Sequence, residues 1–446
     1  MPTKTQNSSY EQRKNKVLTQ SKKINGSFRI RKSSASNLFR YTNRARKKDV
    51  QEIYLGQFNH ILNLDKETQT LEVEGLATYD DIVTYTLGNG FLPTVSPELK
   101  HITVGGATVG IGIESSCFRH GFVHDGLKEA DVLLPNGEVV SCRADNQYAD
   151  IFFGLPNSYG TLGYILRAKI ALMPAKPFVR VENIRYRSID DYISAMEETT
   201  KDDSIDFIEG LFYKDDEFYL TISRLVEEAP STEDIYRDHI FYKLLRDDTV
   251  FFLDTYDYIF RYDPDWFWNV PEGGFYDLFR RFSPRRFRNS GFYQKYTAFK
   301  RHLISKKEIS EEQLIQDWEI PWESAGDFVR YALREVDLKG QPWVALPIKT
   351  PKAPTNYPIK ANTLYFNVGC YCFTDRPRKD IDFYYTRILD RKCFDLGGIK
   401  MLYSSTFLQQ DEFDQIYNGL EYAKLKAKYD PDGRAPTLFD KSVLNH

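Results

Sequence analysis

The sequence predicts an α+β protein of two or three domains, and three observations lead to this prediction. The chain has 446 residues, which exceeds the size of one ordinary domain. A glycine-rich segment, TVGGATVGIGIESS, occupies residues 103–116. From residue 177 to about residue 396, predicted strands alternate with predicted helices. This alternation is typical of an antiparallel sheet that carries helices on one face.

Composition excludes several classes of protein. Hydrophobic residues make up 41% of the chain, enough for a substantial core, and the net charge of −3 gives no reason to expect nucleic acid. The five cysteines are odd in number and form no CxxC motif, so neither a disulfide framework nor a zinc site is expected. The seven histidines show no HxxH spacing, and we expect no metal site. We interpret Cys370 and Cys372 as buried thiols of a protein in a reducing compartment.

The N-terminal region is strongly basic. Residues 1–48 contain fourteen Lys or Arg residues and one acid, Glu11. This region is either a solvated tail with a helix or a surface that contacts an anionic membrane peripherally. No apolar run approaches 18 residues, and the N-terminal residues lack the apolar region of a secretory signal. We therefore expect a cytoplasmic protein that is soluble or peripherally bound to a membrane.

Local patterns predict the elements of the first 175 residues. Alternation predicts a strand at 68–75, and Thr78 can cap the helix that follows and ends near residues 88–90. Residues 123–142 predict two strands around a Pro-Asn-Gly turn. A short helix is predicted at 149–153, and a strand at 162–172 ends before Pro174.

The rest of the chain predicts a second set of elements. Predicted strands lie at 178–186, 206–213 and 217–223, and predicted helices at 189–199, 324–336 and 378–394. Residues 397–404 predict a strand, residues 411–429 a helix, and YDPDGRAP a terminal loop.

The glycine-rich segment is the strongest chemical signal in the chain. Gly105, Gly106, Gly110 and Gly112 lie among small or β-branched residues. Glycine lets a ligand approach main-chain N–H groups without meeting a Cβ atom, and runs of such groups bind phosphate oxygens. The spacing does not match the GxGxxG dinucleotide fingerprint, and no GK[ST] of a P-loop is present. The segment is therefore either a cofactor-contacting loop or a glycine-rich turn of a β-protein.

A longer pattern resembles a known family. Residues 97–116, then GFVHDGLKEADVLLPNGEVVSC and DIFFGLPNSYGTLGYILRAKIALMPAKPFVRV, resemble FAD-linked oxidases of the vanillyl-alcohol oxidase or PCMH superfamily. Within it they are similar to the Δ24-sterol reductase family. The resemblance is continuous over about residues 73–181 and returns in GGIKMLYSSTFLQQDEF and YDPDGRAP.

The resemblance implies a domain plan. It implies a PCMH-type FAD-binding domain of two α+β subdomains at 1–175. An α+β cap domain on an antiparallel sheet would follow at 176–396, and residues 397–446 would return to the FAD-binding domain. The first FAD loop would lie within 27–40 and is short. Because residues 1–59 contain no histidine, we expect FAD to be bound non-covalently.

The resemblance also implies which residues contact FAD. One group lies in the glycine-rich segment, and the other is the turn Gly160-Thr161-Leu162-Gly163 with the strand that follows it. A turn between a helix and a strand is the alternative for the second group. The implied FAD contacts are Thr103, Val104, Gly105, Gly106, Ala107, Thr108, Gly110, Ile111, Gly112, Ile113, Glu114, Ser115, Gly160, Thr161, Gly163 and Ile165.

The implied reaction is reduction of a C=C bond in an apolar sterol-like or isoprenoid lipid, with NADPH as electron donor. Such a reaction needs a proton donor within hydrogen-bond reach of the substrate. Glu114 and Tyr403 are our candidates for catalytic residues, with Glu209 and Tyr213 as further titratable groups. Ser404, Ser405 and Tyr429 are implied to lie near the flavin ring. Glu114 has a structural alternative, as a hydrogen-bond acceptor in the glycine-rich segment.

Two other functions remain open at this point. One is an FAD-linked oxidase of an alcohol or sugar. The more distant oxidases of decaprenylphosphoryl ribose keep a lysine shortly after the Leu-Tyr of the return strand. Here Leu402-Tyr403 is followed by Ser-Ser-Thr, so the lysine that acts as base in those oxidases is missing.

The second function that remains open is a flavin-free scaffold that kept the fold.

Aromatic residues are concentrated at 251–299. The rings at positions 256, 258, 260, 262, 266, 267 and 268 fit no single helical or strand stripe. They either line an apolar substrate pocket or pack an irregular insert against the first domain, and packing is the more frequent role of such rings.

Overall fold

Two large antiparallel sheets form the framework of the protein. The structure is a computed structural model and describes residues 4–24, 26–32, 50–237, 240–247, 249–268, 278, 282–293, 295, 311–378 and 380–444. Most of the predicted first FAD loop, residues 33–40, lies outside this range. The α+β class is confirmed, because helices cover two large sheets whose strand pairings are antiparallel.

The first large sheet has six strands and lies in the N-terminal part of the chain. Five strands run in the order β3-β4-β8-β6-β7, and β5 pairs with the end of β8. A separate parallel pair, β1 and β2, precedes it. The strands are β1 Phe28–Arg31, β2 Gln51–Tyr54, β3 Ile61–Asp65, β4 Thr70–Glu74, β5 Phe91–Pro93, β6 Leu127–Leu133, β7 Val139–Cys142 and β8 Tyr164–Pro174.

The second large sheet has eight strands in the order β12-β9-β11-β10-β14-β15-β13-β16. It begins directly after the first sheet, and its last strand is the return segment of the chain. The strands are β9 Phe178–Tyr186, β10 Phe207–Lys214, β11 Glu217–Val226, β12 Val250–Asp254, β13 Glu311–Pro321, β14 Trp343–Ile348, β15 Tyr365–Asp375 and β16 Ile399–Lys400.

Short helices connect and cover the strands. Those of the first part are α1 Lys4–Ser21, α2 Tyr79–Leu87, α3 Val104–Val109, α4 Cys117–His120 and α5 Ala149–Gly154. Those of the second part are α6 Ile189–Thr199, α7 Phe241–Asp247, α8 Thr255–Ile259, α9 Ala325–Glu335 and α10 Tyr384–Asp395. The C-terminal helices are α11 Gln410–Ile416, α12 Gly419–Tyr429 and α13 Leu438–Ser442.

Local sequence signals account for most of these elements. The Thr78 side chain accepts a hydrogen bond from Asp81 N, which caps α2 as predicted. Ser188 caps α6 in the same way, through Asp191 N. The predicted hairpin forms between β6 and β7, with Gly137 at a φ of 90° in its turn.

Three predicted elements differ from the structure. The return strand predicted at 397–404 is only the two residues Ile399–Lys400, because the chain turns after Met401, whose N–H still donates to the Asp317 carbonyl oxygen on β13. The helix predicted at 411–429 is broken between α11 and α12, where Asn418 adopts a left-handed φ of 55°. The helix predicted at 378–394 begins six residues late, at Tyr384.

The basic N-terminal helix packs onto the first sheet. Tyr10 and Val17 of α1 are buried. Arg13 donates to Glu74 Oε1 on β4, and Lys14 lies 3.2 Å from Asp131 Oδ2 on β6. Both carboxylates are almost fully buried, so the two cations neutralise charges of the sheet. Helix α1 is therefore a packed element, and the solvated-tail interpretation is wrong for it.

Other expectations concern cysteines and membranes. All five cysteines are buried and free, and Cys370 and Cys372 lie side by side with sulfur atoms 3.4 Å apart. Among the described helices, none combines the length and the apolar character required to cross a bilayer.

Candidate active site

The glycine-rich segment folds as a short helix, α3, rather than as the irregular loop we expected. Thr103 begins it and accepts a hydrogen bond from Gly106 N through its Oγ1. Gly105 packs tightly, because a Cβ atom there would lie 2.7 Å from the Gly75 carbonyl oxygen. Gly106 is exposed, and a Cβ atom there would meet only Thr103 Oγ1, at 3.0 Å. One glycine is thus needed for packing, and the next leaves backbone open at the surface.

The two predicted cofactor motifs meet in space. Tyr159, directly before the Gly160 turn, donates its backbone N–H to the Val109 carbonyl oxygen at the end of α3. Its phenol donates to the Gly110 carbonyl oxygen at 3.3 Å. Gly105 also lies against β8, near Ile165. Residues about 50 positions apart therefore form one continuous surface.

The turn at residues 160–163 requires its glycines. Gly160 and Gly163 have φ angles of 81° and 148°, which side-chain-bearing residues rarely adopt. A Cβ atom at Gly163 would lie 2.6 Å from Val132 Cγ1. Thr161 closes the turn by donating to the Ser158 carbonyl oxygen. The C-terminal helix α12 covers this turn, since Tyr422 donates to Thr161 Oγ1 at 2.9 Å.

Orphaned polar atoms around this turn fit a polar cofactor. Asn157 Oδ1 and Ser158 Oγ directly precede the turn, and both are buried without a hydrogen-bond partner. Asn356 Oδ1 is also buried and unpartnered, while the amide nitrogen of Asn157 donates to the Asn356 carbonyl oxygen at 2.7 Å. Buried polar atoms normally have partners, and those left without one need an explanation. With the exposed backbone at Gly106, they suit a ligand rich in hydroxyl and phosphate groups.

The other predicted FAD contacts divide by exposure. Gly112 and Ile113 are half-buried, and Thr108 Oγ1 donates to the Val104 carbonyl oxygen. Ser115 is buried and receives a hydrogen bond from Arg261 Nη2 at 3.4 Å. Four apolar members belong to the buried core of the sheet and hold the surface in place: Val104, Ala107, Ile111 and Ile165.

Glu114 lies in a buried cluster of charges. Its Oε1 accepts a hydrogen bond from the backbone N–H of Glu98 at 2.9 Å. Arg261 forms a two-point contact with Glu209 on β10, and its Nη2 atom lies 2.5 Å from Glu98 Oε1. The Arg261 and Glu209 side chains are each 1% exposed. Three carboxyl groups thus share one guanidinium away from water.

This excess of carboxyl groups shifts their proton affinities. Burial, followed by the charge of Glu98, raises the pKa of Glu114 well above its usual range. Burial also raises the pKa of Glu98 to about 7, although Arg261 acts in the opposite direction. Desolvation disfavours the charged form of a carboxyl group, and a neighbouring carboxylate adds to that effect. Glu114 therefore holds its proton more tightly than an exposed glutamic acid does.

Tyr403 belongs to a second cluster, centred on Asp317. The Tyr403 phenol donates to Asp317 Oδ2, and Tyr371 donates to the same oxygen at 2.7 Å. Asp317 lies on β13, Tyr371 on β15, and Tyr403 just beyond β16. Burial raises the pKa of Asp317 to about 6, while the two phenols partly offset that shift. Burial also raises the pKa of Tyr403 well above its usual value.

The two clusters are neighbours. The charge of Asp317 contributes to the raised pKa of Glu98, and the charge of Glu98 contributes to that of Tyr371. Phe267 covers Tyr371 in a stacked contact, with ring centroids 4.3 Å apart. The predicted catalytic residues are thus linked in turn: Glu114 bonds to Glu98, Glu98 is influenced by the charge of Asp317, and Asp317 bonds to Tyr403.

A buried ion pair fixes the return segment that carries Tyr403. Lys400 is fully buried and donates to Asp390 Oδ2 at 3.0 Å and to the Ser405 carbonyl oxygen at 2.6 Å. Ser404 donates to Gln316 Oε1, beside Asp317 on β13. Residues on both sides of Tyr403 are thus bonded to the second sheet. Tyr429 lies elsewhere, since its phenol donates to Asp150 on α5.

The aromatic residues of the insert are packed together. Six of the seven singled out from the sequence are buried, and Tyr256 is half-buried. Tyr256, Phe260 and Tyr236 surround the Lys100 ammonium at 4.7–5.4 Å from their ring centroids. Lys100 is part of the lead-in to α3. The packing interpretation is therefore confirmed for these residues. Trp266, Phe267 and Trp268 all have left-handed φ angles of 49–53°, which tight surroundings must hold in place.

Sequence reasoning missed several members of these clusters. Asp317 and Tyr371 are single residues in two buried strands, and no motif marks them. Arg261 lies among aromatic residues, and its sequence context indicates only a packed insert. Only Glu98 could have been proposed as a site residue from the sequence, because it lies in PELKHI, directly before the glycine-rich segment.

Comparison with known proteins identifies the first part of the chain. Residues 33–143 match the model of an FAD binding domain, a range that includes α3 and Glu114. The chain is an FAD-dependent oxidoreductase. The PCMH-type fold is thereby confirmed, and an FAD-binding domain is shown for this part of the chain.

Similarity extends beyond the FAD-binding domain. This oxidoreductase is 25% identical to the human Δ24-sterol reductase over 406 residues, covering 85% of this chain and 75% of that protein. It is 25% identical to the Arabidopsis thaliana Δ24-sterol reductase over 436 residues, 88% of this chain and 76% of that protein. It is 28% identical to cytokinin dehydrogenase 7 of rice over 166 residues, which cover 36% of this chain and 30% of that protein.

Proposed function

We propose that this protein reduces a C=C bond of a sterol-like or isoprenoid lipid, with NADPH as electron donor. The observation that carries the proposal is the extent of similarity to Δ24-sterol reductases, which covers 85% of this chain for the human protein and 88% for the Arabidopsis thaliana protein. Similarity to the cytokinin dehydrogenase covers about one third of the chain. The wider extent of the similarity to the sterol reductases therefore supports the reductase over an oxidase of an alcohol or sugar.

The predicted FAD contacts remain part of the proposal. Gly106, Gly160 and the polar groups of Asn157 and Ser158 would hold FAD non-covalently. When bound and reduced, FAD supplies the hydride for the reaction. Helix α12, through Tyr422, would keep the turn at 160–163 rigid beneath it.

The protein's own task is to deliver a proton. When Asp317 is protonated, its carboxyl group can transfer a proton to the Tyr403 phenol oxygen. At the same time, the Tyr403 O–H transfers its own proton to the substrate carbon. Tyr403 gains one proton as it loses one, so no phenolate forms beside Asp317. That matters because burial disfavours a charged Tyr403. Asp317 regains its proton from water between turnovers.

The surrounding groups support this proton transfer. Tyr371 donates to the same Asp317 oxygen and orients the carboxyl group. Phe267 covers Tyr371, which limits the access of water from that side. Glu114 becomes a structural acceptor for Glu98 N in this scheme, and Tyr403 carries the catalytic role of the two.

Peripheral membrane contact through the basic N-terminus also remains a prediction. Arg13 and Lys14 face the first sheet, so they do not contribute to such a contact.

Anaerobic stopped-flow absorbance tests the proposed reaction. The purified protein is mixed with NADPH, and the flavin band near 450 nm is followed, the usual position for an oxidised flavin. We expect the band to bleach and then to recover when a Δ24-unsaturated sterol or isoprenoid is added. Bleaching by an alcohol or sugar, but not by NADPH, would establish the oxidase instead. A protein without any flavin band would support the scaffold.

A further inference from the structure

The aromatic insert exposes an unusual group of apolar side chains. Among the described residues, nine large hydrophobic side chains are exposed, and four of them lie within residues 278–292. Phe282 is 74% exposed and Leu278 57% exposed. These four residues, with exposed Lys295, are called the insert surface below: Leu278, Phe282, Phe287, Phe292 and Lys295.

The sequence around the insert surface is strongly basic. Residues 278–307 contain ten Lys or Arg residues and no Asp or Glu, in a chain whose net charge is −3. Aromatic and cationic residues alternate closely within it, as in LFRRFSPRRFRNSGFYQK. The cationic residues are Arg280, Arg281, Arg285, Arg286, Arg288, Lys295, Lys300, Arg301, Lys306 and Lys307.

The segment is fixed to the body of the protein. Ser290 Oγ donates to Asp263 Oδ1 at 2.6 Å, and the same carboxyl oxygen accepts from Lys100 N at 3.1 Å. Arg285 forms ion pairs with Asp257 and Asp234 at 3.4 and 3.3 Å. Phe287 and Phe292 remain outside these contacts and lie 5.7 Å apart between ring centroids.

The anchoring places this surface beside the proposed active site. Asn289 lies 3.3 Å from His101 Nε2, and a Cβ atom at Gly291 would meet the His101 ring. His101 is two residues before Thr103, which begins α3. The insert surface is thus attached to the lead-in of the glycine-rich segment.

We propose that the insert surface binds the face of an anionic lipid bilayer. Phenylalanine side chains would enter the boundary between headgroups and acyl chains, and exposed Lys295 would attract anionic headgroups together with the basic residues near it in the sequence. Arg285 and Arg288 do not take part, because Arg285 is ion-paired with Asp234 and Asp257 and Arg288 is buried. Clusters of exposed apolar side chains mark interaction sites on protein surfaces, and a basic surround favours a negatively charged partner. The preference for a bilayer over nucleic acid rests in part on the proposed lipid substrate, which itself partitions into bilayers.

Vesicle co-sedimentation tests this surface without any activity measurement. The full chain with bound flavin is mixed with vesicles of phosphatidylcholine, with or without phosphatidylserine. We expect binding only to the vesicles that contain phosphatidylserine, weakening as salt is added. Phe282→Ser together with Phe287→Ser should lower the partition coefficient by about tenfold or more, since each exposed ring contributes apolar area to the bound state. Lys295→Glu should also weaken binding.

A matched control is available on another part of the surface. Leu420 on α12 is 71% exposed, so Leu420→Ser removes a similar apolar side chain and should leave vesicle binding unchanged. Flavin content and circular dichroism of each variant report whether the fold is intact. Equal binding by the wild type and the double Phe variant would overturn the proposal.

Three further results would also overturn it. They are no binding to any vesicle at low salt, stronger binding to single-stranded RNA that competes with vesicles, and a dimer in solution that the Phe282 and Phe287 substitutions dissociate. If vesicle binding depends on Phe282 but NADPH never bleaches the flavin, the membrane surface stands and the proposed reaction fails. If the flavin cycles normally but no vesicle binds, the reaction stands and the surface fails.

Discussion

Tyr403 donates a hydrogen bond to Asp317 Oδ2 across 86 residues of sequence. The contact exists because the chain returns to the second sheet at β16. This strand pairs with the edge of β13 that β15 leaves unpaired. Tyr371, on the other neighbour of β13, donates to the same oxygen. Three separate segments thus place two phenols on one buried carboxyl group, and the proposed proton transfer depends on this arrangement.

Removing the Tyr403 hydroxyl should separate the two half-reactions. We expect Tyr403→Phe to slow substrate reduction by about a hundredfold or more, the usual contribution of a positioned acid. Bleaching of the flavin by NADPH should keep its rate, because that step needs no proton from Tyr403. Tyr429→Phe removes a phenol bonded to Asp150 and serves as the control. Rapid reoxidation of the Tyr403→Phe variant by substrate would show that another residue supplies the proton.

The reaction should depend on pH through Asp317. Its pKa is raised to about 6, and only the protonated form can supply Tyr403. The rate of substrate reduction should therefore fall about tenfold per pH unit above pH 6. Asp317→Asn should give a slow rate that does not vary with pH in this range. A wild-type rate that rises between pH 6 and 8 would contradict the assignment and favour a base at this position.

Asp317 should also affect stability with a predictable sign. Its pKa in the folded protein is about 6, above the ordinary value of 3.8, so the folded state holds the proton more tightly. Its contribution to stability is full below about pH 4 and is lost as the pH rises through 6. The loss is on the order of 3 kcal/mol in the free energy of unfolding. In urea unfolding, the wild type should have a lower free energy of unfolding at pH 7 than at pH 4. In Asp317→Asn this difference between the two pH values should be smaller by about 3 kcal/mol.

Gly106→Val tests the proposed FAD surface. The added side chain would project from exposed backbone into the space where FAD must approach, so we expect flavin to be lost during purification. Gly88→Val, at the exposed end of α2, adds the same side chain where a Cβ atom meets nothing closer than 3.6 Å. It should retain flavin. Absorbance at 450 relative to 280 nm measures both, with 450 nm the usual position for flavin. Normal flavin content in Gly106→Val would remove α3 from the site.

Glu114 separates a structural role from a catalytic one. Glu114→Gln keeps a side-chain oxygen that can accept the hydrogen bond from Glu98 N. Stability and turnover should stay close to those of the wild type. Glu114→Ala leaves Glu98 N without its acceptor and should cost about 1–3 kcal/mol of unfolding free energy. A large loss of turnover in Glu114→Gln, with flavin retained, would return Glu114 to the catalytic residues.

Local signals predicted the fold well where they act over a few residues. Thr78 and Gly137 define a cap and a turn through their own chemistry, and both elements appear as expected. The break at Asn418 was missed because its left-handed conformation depends on packing of α11 and α12. The return strand is short for a similar reason, since buried Lys400 draws the chain toward Ser405.

The candidate site was only half predictable. The turn at 160–163 is visible in sequence because its backbone geometry demands glycine, and the glycine-rich segment is visible because it needs glycine for close packing at Gly105. Asp317 and Tyr371 carry no such mark, since a carboxyl or phenol in a strand becomes special only when the sheet buries it. Register between β13 and β15 decides which residues share that position, and register follows from the complete sheet. The domain boundaries at 175 and 396 stay a prediction, and β16 shows that residues 399–400 still belong to the second sheet.

Helix α12 has a consequence for when the protein can acquire its flavin. Tyr422 and Lys426 hydrogen-bond to Thr161, some 260 residues earlier, and Arg434 donates to the carbonyl oxygens of Ile24 and Gly26 near the start of the chain. During synthesis, the turn at 160–163 emerges from the ribosome long before the helix that braces it. The last few dozen residues must leave the ribosome before that surface is complete. Tight flavin loading would then be a step that follows translation, and a chain that stops short of α12 would be released without it.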